Sequence, residues 1–590
     1  MSRTDATLDS RYVTSLGQEP PRVTRVRRLI PETGLQAAIW VIVAVCVLTP
    51  VLPLVYASVQ SKPIYATGRS FTFSAYHQLF ADPLFWDAAK NTAEFAAITT
   101  VCSVLLGAGF AVLCSRTDIV GRSVYSGLLV VPILLPPLGI ILGWNALYGD
   151  GGYAHDFITS TLHIPFDLTS VVGMAVLGTA VGVPLTFLIS RATLAGMDSS
   201  LEDAARSVGA SPWRVIARVT VPMLRPALLN SGLLVFTVSI ESLGIPLLLG
   251  GAQGHDFVAS YLYNNWGDAI TPDPPIVSAG ATILLLCAVA LLLLRRRLLG
   301  DEARFVSIGG RAGATDTLRL GAVGRWAFSA LVGLYLMATT FAPILALATS
   351  SVVSELTPLV PPWQLLTFDH WRAIGQGAFA VSIRNTIEIA IVGSILTTVV
   401  VALATMVAHR SKFRARASLP LLLIFPRAIP GIIIGIGFFW AFLLVNPPGN
   451  TIRNSIWGIM VALSVRAMTL AYFVISSAAS TISASLDDAA RASGGSWWTT
   501  VTRIVFPILR PALLVSFILV FISILNDFDP ALFLVTPDHQ IMGTTMLDAS
   551  RQGSVGPVAA LAMVQVALTV AAIFLAGRVF TTKMSGRRYA

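Results

Sequence analysis

The stretch EDAARSVGASPWRVIARVTVPMLRPALL, Glu202 to Leu229, is written a second time as DDAARASGGSWWTTVTRIVFPILRPALL, Asp487 to Leu514. Counted from Leu201 and Leu486, 16 of 29 positions are identical at a spacing of 285. That agreement is far beyond coincidence, so the chain contains an internal duplication. A second match lies upstream at a spacing of 294. NTAEFAAI begins at Asn91 and NTIEIAIV at Asn385, and Arg116, Pro132, Pro136 and Gly143 meet Arg410, Pro426, Pro430 and Gly437. The change of spacing predicts about nine extra residues in the first copy, within YGDGGYAHDFITSTLHIPFD.

Composition says where such repeats live. Of 590 residues, 55% are hydrophobic and 12% charged, and mean hydropathy is +0.75. Soluble domains carry about 25% charged residues, so a water-soluble enzyme is excluded. A membrane span needs about 20 apolar residues. Twelve such runs are present, at 35–58, 92–115, 123–147, 168–192, 226–250, 276–298, 325–350, 385–409, 418–444, 455–479, 511–535 and 556–580. The fold class expected is an all-α polytopic membrane protein, two parallel six-helix halves. The boundaries are an N-tail at 1–34, a first half at 35–298, a linker at 299–324, a second half at 325–580 and a C-tail at 581–590. The first apolar run starts farther in than that of a secretory signal.

Lys and Arg settle the orientation. The segments on the side of both termini carry 31 of them and the opposite loops 7. The positive-inside rule then puts both termini and the linker in the cytoplasm, in a bacterial inner membrane. The net charge of +10 belongs to this asymmetry rather than to nucleic-acid binding. Cys46, Cys102, Cys114 and Cys287 all fall in apolar runs without a CxxC pair. They are read as buried apolar residues, with no metal site. His155, His163, His255 and His370 lie in opposite-side loops without metal-ligand spacing.

The repeated segment lies between spans four and five, and again between ten and eleven. Asp203-Ala204-Ala205 and Gly209, with Asp488-Ala489-Ala490 and Gly494, predict a helix with a small-residue face that lets another protein approach closely. Arg206 and Arg491 can pair with carboxylates there. Pro222 and Pro226, and Pro507 and Pro511, then break the helix. The bland account is an interfacial helix tucked under the bundle. Loops ordinarily drift more than the elements they join, so a match this close in a loop favours a docking role.

This segment resembles the EAA loop of ATP-binding-cassette importer permeases: Glu-Ala-Ala, three residues, Gly, nine residues, Ile, one residue, Leu-Pro. Asp203, Gly209, Val219, Val221 and Pro222 stand at those positions in the first copy. Asp488, Gly494, Ile504, Phe506 and Pro507 stand there in the second. Both copies replace the leading Glu by Asp. Two such loops on one chain resemble the fused permeases of the ferric-iron, thiamine and aminoethylphosphonate group. The resemblance implies a type I importer fold, a cytoplasmic ATPase homodimer gripping both loops, and an external substrate-binding protein or lipoprotein. A Walker A loop needs Gly-Lys-Ser/Thr, and none of Lys62, Lys90, Lys412 and Lys583 follows a glycine. No cofactor is therefore expected on this chain. ATP is expected on a separate polypeptide.

Charges at membrane depth are functional candidates by default. Arg427 and Arg466 fall near the bilayer middle. Glu241 is deep in span five, and its repeat equivalent Asn526 stands beside Asp527 and Asp529. Two roles remain open: ion pairs that hold the bundle, or a lining of the translocation path. Arg427, next to Pro426, leans to the first and Arg466 to the second. Glu94 and Glu388 are placed at the outer mouth, where first-turn helix electrostatics compete with attraction of a cation or of the binding protein. The leading function is importer permease, for ferric iron or a ferric chelate, or for a small anion such as a phosphonate or sugar phosphate. The alternative is an ion-coupled secondary transporter of two six-span halves.

Overall fold

In a bilayer every backbone polar group must be satisfied inside the protein, and the apolar runs achieve this as helices. The computed structural model describes residues 32–161, 163, 165–197, 200–268, 273–299, 318–355, 360–445 and 448–586. The N-tail through residue 31, most of the 299–324 linker and the end of the C-tail lie outside the described residues. Among the described residues there is no strand, only isolated bridges such as Gln60 to Phe71 and Val353 to Leu366.

The first half comprises α1 (Glu32–Ser58), α2 (Pro83–Arg116), a broken α3 (Arg122–Leu134 with Pro137–Tyr148), α4 (Val171–Gly196), a bent α5 (Trp213–Met223 with Arg225–Ile240) and α6 (Pro274–Leu298). The second comprises α7 (Ala322–Ser350), α8 (Gly377–Arg410), a broken α9 (Arg416–Ala428 with Gly431–Leu444), α10 (Ile456–Ser480), α11 (Trp497–Asn526) and α12 (Val555–Arg578). Among the described residues nine helices are thus long and apolar enough to span, and α3, α5 and α9 are pairs bent by 103°, 59° and 108°.

Packing shows that α3 and α9 still cross. Gly178 of α4 lies against Phe95 and Thr99 of α2, Gly182 against Ser103, and Thr186 against Gly107. Arg116 donates to the Leu194 carbonyl. Residue numbers climb together on the two helices, so α2 and α4 are parallel, and the chain between them must return across the bundle. The second half repeats this, with Gly393 of α8 on Ser464 of α10 and Arg410 on the Ala479 carbonyl. Small residues let these backbones approach closely. The loop after α3 is the longer of the two, as the changed spacing predicted.

Three expectations need correction. First, α2 and α8 begin at Pro83 and Gly377, not at 92 and 385. Asp82 caps α2 by accepting from the Leu84 amide at 2.9 Å, and Pro83 fits the first turn. Second, α5 and α11 end at Ile240 and Asn526, short of 250 and 535; the polar residues that follow leave the helix. Third, Pro511 stands inside an unbroken helix, whereas Pro226 follows the bend of α5.

The halves also exchange their first helices. The Trp40 indole on α1 donates to Ser418 at 2.8 Å, and the Pro50 carbonyl rests on Gly437 of α9. In return, Trp144 and Tyr148 of α3 donate to the Thr339 and Ala338 carbonyls at 3.1 and 2.8 Å, and Gly143 receives Pro343 of α7.

Candidate functional site

The repeated loops fold as short helices, Ser200–Ser207 and Ser485–Ala492, each ended by a glycine in the left-handed region. Gly209 has φ 84° and Gly494 φ 78°. Gly209 N–H donates to the Arg206 carbonyl and Ala210 N–H to that of Ala205, at 2.9 and 3.1 Å. Gly494 and Gly495 repeat both bonds to Arg491 and Ala490. This pair of bonds closes a helix end, and only a residue without Cβ makes it free of strain. A Cβ at either glycine would meet nothing within 4 Å. Within this chain, therefore, glycine answers to the sign of φ rather than to crowding.

Ala204 and Ala489 are exposed and Ala205 and Ala490 partly so. The Asp203 and Asp488 side chains are 61% and 77% exposed and pair with Arg206 and Arg491 at 3.4 and 3.8 Å. Exposed Leu201, Val208 and Trp213, with Leu486 and Trp498 in the second copy, leave apolar surface beside these charges. Such a surface suits a partner.

Sequence reasoning missed the residue before each motif. Glu202 is buried; it accepts from Arg116 Nε at 3.1 Å and from Thr220 Oγ1 at 2.9 Å. Its repeat equivalent Asp487 accepts from Arg410 Nη1 at 2.8 Å. The signal was present, because both acids match at the 285 spacing and both arginines at 294. What one dimension could not show is that the two spacings meet.

The deep charges gather where α5 and α11 stop. Arg466 of α10 directs Nη1 at Asp527 and Asp529, at 2.9 and 3.3 Å, and Nη2 at Glu241, at 3.4 Å. These side chains are at most 18% exposed. Desolvating charges is costly, and close pairing offsets it. Asn526 donates to the Leu134 carbonyl at 3.4 Å and accepts from Thr569 at 3.1 Å. Each half thus sends a residue at the end of its fifth helix to the other half. Arg427 sits in the short turn before Pro430 that breaks α9. It is exposed, and among the described residues its guanidinium has no ion pair within 4 Å. The leaning of the sequence is therefore reversed in the geometry: Arg466 is the paired arginine and Arg427 the open one.

Glu94 and Glu388 lie well past the first turns of α2 and α8, because those helices start early, so first-turn electrostatics does not account for them. Both are exposed. Each shares a helical face with exposed apolar residues seven and eleven positions on, Val101 and Leu105 in α2 and Ile395 and Val399 in α8.

At the opposite end from the repeated loops, α2 and α8 hold the segments that follow α5 and α11. Asn91 donates to the Asp256 carbonyl at 3.2 Å and Thr92 accepts from Val258 N–H at 2.9 Å. Asn385 donates to the Gln540 carbonyl at 3.0 Å and Thr386 accepts from Met542 N–H at 2.8 Å. Beside the first clamp, Tyr261 donates to Asp82; burial, then that carboxylate, pushes the phenol well above its ordinary range and keeps it a donor.

The description "binding-protein-dependent transport system inner membrane component" matches residues 103–299 and again 394–585. The chain is 24% identical to a ferric transport system permease protein of Actinobacillus pleuropneumoniae, over 82% of this chain and 70% of that one. It is 24% identical to a probable ABC transporter permease protein of Sinorhizobium fredii, over 90% and 92%. It is 25% identical to a putative 2-aminoethylphosphonate transport system permease protein of Salmonella typhimurium, over 40% of this chain and 83% of that one.

Proposed function

We infer cargo and coupling from one premise: the chain belongs to the binding-protein-dependent transport system inner membrane component family and is the multi-pass permease of an ATP-binding-cassette importer. The cargo we propose is ferric iron, free or as a chelate, handed over by an external binding protein.

The observation that carries this reading is the deep cluster. Glu241, Asp527 and Asp529 outnumber Arg466 and Arg427 by one, so carboxyl groups are in formal excess where α5 and α11 end. Hard cations favour carboxylate oxygens, and such a lining favours a cation over an anion. The similarity to ferric permeases supports the same choice. Open Arg427 supports the second reading, a small anion such as a phosphonate.

A cytoplasmic ATPase, a homodimer in this proposal, would grip the Ser200–Ser207 and Ser485–Ala492 helices and supply the only ATP-binding sites. The absence of any Gly-Lys pair from the sequence supports a separate motor. The Lys and Arg asymmetry supports a bacterial inner membrane with both termini cytoplasmic.

The test is uptake of radioactive ferric citrate by cells that lack, and then regain, this gene. Iron uptake should return with the gene and vanish when its partner ATPase is deleted. Restored uptake of aminoethylphosphonate with no effect on iron would replace the cation reading by the anion one. Reporter fusions after Ala590 and within 299–324 should both read cytoplasm; a periplasmic signal from either would overturn the orientation.

A further inference from the structure

Helices α2 and α8 do one thing alike in both halves: each is tied to elements distant in sequence at its C-terminal end and again about two turns in from its N-terminus. At the loop end, Arg116 holds buried Glu202 of the short helix and the Leu194 carbonyl, at 3.1 Å each. Arg410 holds Asp487 at 2.8 Å and the Ile482 carbonyl at 2.7 Å. At the other end, the clamps at Asn91-Thr92 and Asn385-Thr386 hold helices Val258–Tyr263 and Met542–Arg551. Thr92 and Thr386 accept the first amide of each, a donor that a helix cannot satisfy by itself. The two clamped segments meet between the halves, where Arg551 donates to Asn264 at 3.2 Å and stacks over Tyr263.

Between Thr92 and Arg116 the helix is continuous for about 36 Å, and the same holds from Thr386 to Arg410. The neighbours joined to them in sequence, α3 and α9, are broken by more than 100° and would absorb a push at the break. The second helix of each half is thus an unbroken rod that joins the short helix to the far clamp.

We propose that α2 and α8 are the coupling struts of the importer, with Arg116 and Arg410 as the positioning residues that fasten each ATPase-docking helix to its strut. Movement of the ATPase reaches the Asn264–Arg551 contact on the far face through the Thr92 and Thr386 clamps. This rests on the reading of Ser200–Ser207 and Ser485–Ala492 as docking helices and does not depend on the cargo.

The experiment uses the full permease with its ATPase in lipid vesicles, the four native cysteines replaced by alanine, and Asn264→Cys with Arg551→Cys as a crosslinking pair. ATP should change the crosslinking yield in this background. With Arg116→Met and Arg410→Met together, the ATPase should still copurify, while the ATP-dependent change shrinks at least about five-fold, the low end of coupling between sites. Thr92→Val with Thr386→Val cuts the far clamp without changing shape and should shrink the change similarly, with docking intact. If the arginine pair fails to assemble, the threonine pair decides. An ATP-dependent change of wild-type size in an assembled variant overturns the struts. No copurification of the ATPase with the otherwise wild-type permease, by contrast, overturns the docking reading on which they rest.

Discussion

Arg466 on α10 reaches Glu241 just beyond the end of α5, with Nη2 3.4 Å from Oε2. The contact joins the two repeats at a position that the duplication made equivalent and divergence made unequal. Asn526 holds the matching place in the second half and makes the reciprocal reach with an amide, to the Leu134 carbonyl. One crossing contact is ionic and the other neutral, so charge at this level is concentrated on the second half's side.

Arg466→Ala is expected to remove most of the protein from the membrane. Losing one partner of a buried ionic group costs about 3–5 kcal/mol, because the others stay charged and unpaired. Adding Asp527→Asn and Asp529→Asn should recover part of the abundance, since the orphaned charges go too. Arg427→Ala should leave abundance near wild type while uptake falls. Size-exclusion profiles of the solubilised variants, beside uptake, check all three. Wild-type abundance for Arg466→Ala would remove the structural role assigned to the cluster.

Gly209 and Gly494 allow backbone sign to be separated from contact with a partner. A non-glycine residue in the left-handed region costs about 1–2 kcal/mol, and Asn is the side chain that visits it most readily. Gly209→Asn with Gly494→Asn should retain more bound ATPase than Gly209→Ala with Gly494→Ala, although Asn is larger. The reverse order would show that the partner's approach, not φ, selects glycine.

The repeats, the two parallel halves and the docking motif were legible in the sequence because each is a matter of identity at a fixed spacing. Span ends were less so. Hydropathy continues through Ile245–Leu249, yet the long helix stops at Ile240 and a short helix resumes only at Pro246–Gly250. Apolar character reports depth and does not mark this interruption, beside which the Glu241 side chain reaches Arg466 from the other half. The same limit applies to Arg427 and Arg466. Both read as arginines at mid-membrane, and only the fold says that Arg466 forms ion pairs with three carboxylates while Arg427, among the described residues, forms none within 4 Å.

Thr220 and Val505 occupy equivalent places, and only the first carries a hydroxyl. Thr220 donates to Glu202 Oε1; Val505 has no donor to offer, and Asp487 Oδ1, like Glu202 Oε2, is buried without a hydrogen-bond partner among the described residues. A net hydrogen bond contributes about 0.5–1.5 kcal/mol, rather more to a charged group. Thr220→Val should lower the thermal midpoint of the solubilised permease, and Val505→Thr should raise it. A fall in both would mean that the second loop is packed too tightly around Val505 to admit a hydroxyl.

Gly437→Ala is expected to be among the most damaging single-methyl additions in the chain. The Pro50 carbonyl of α1 lies directly on Gly437 of α9, so a Cβ there would run into backbone that no rotamer change can move. Gly143→Ala meets the Pro343 carbonyl in the same way. Overpacking of a fitted interface costs about 1–3 kcal/mol when side chains can yield, and here backbone must shift. These are also the contacts by which each half accepts the other's first helix, so the loss should appear as failure of the halves to associate. Gly109→Ala, in α2 with nothing within 4 Å of its Cβ, is the control. It should be neutral or stabilising by about 0.5–1 kcal/mol, since alanine is the better helix former. The measurement is the thermal midpoint of each solubilised variant, with limited proteolysis between residues 299 and 324 followed by size exclusion to ask whether the halves stay together. Equal midpoints for Gly437→Ala and Gly109→Ala would show that α1 does not seat against α9 in the assembled protein.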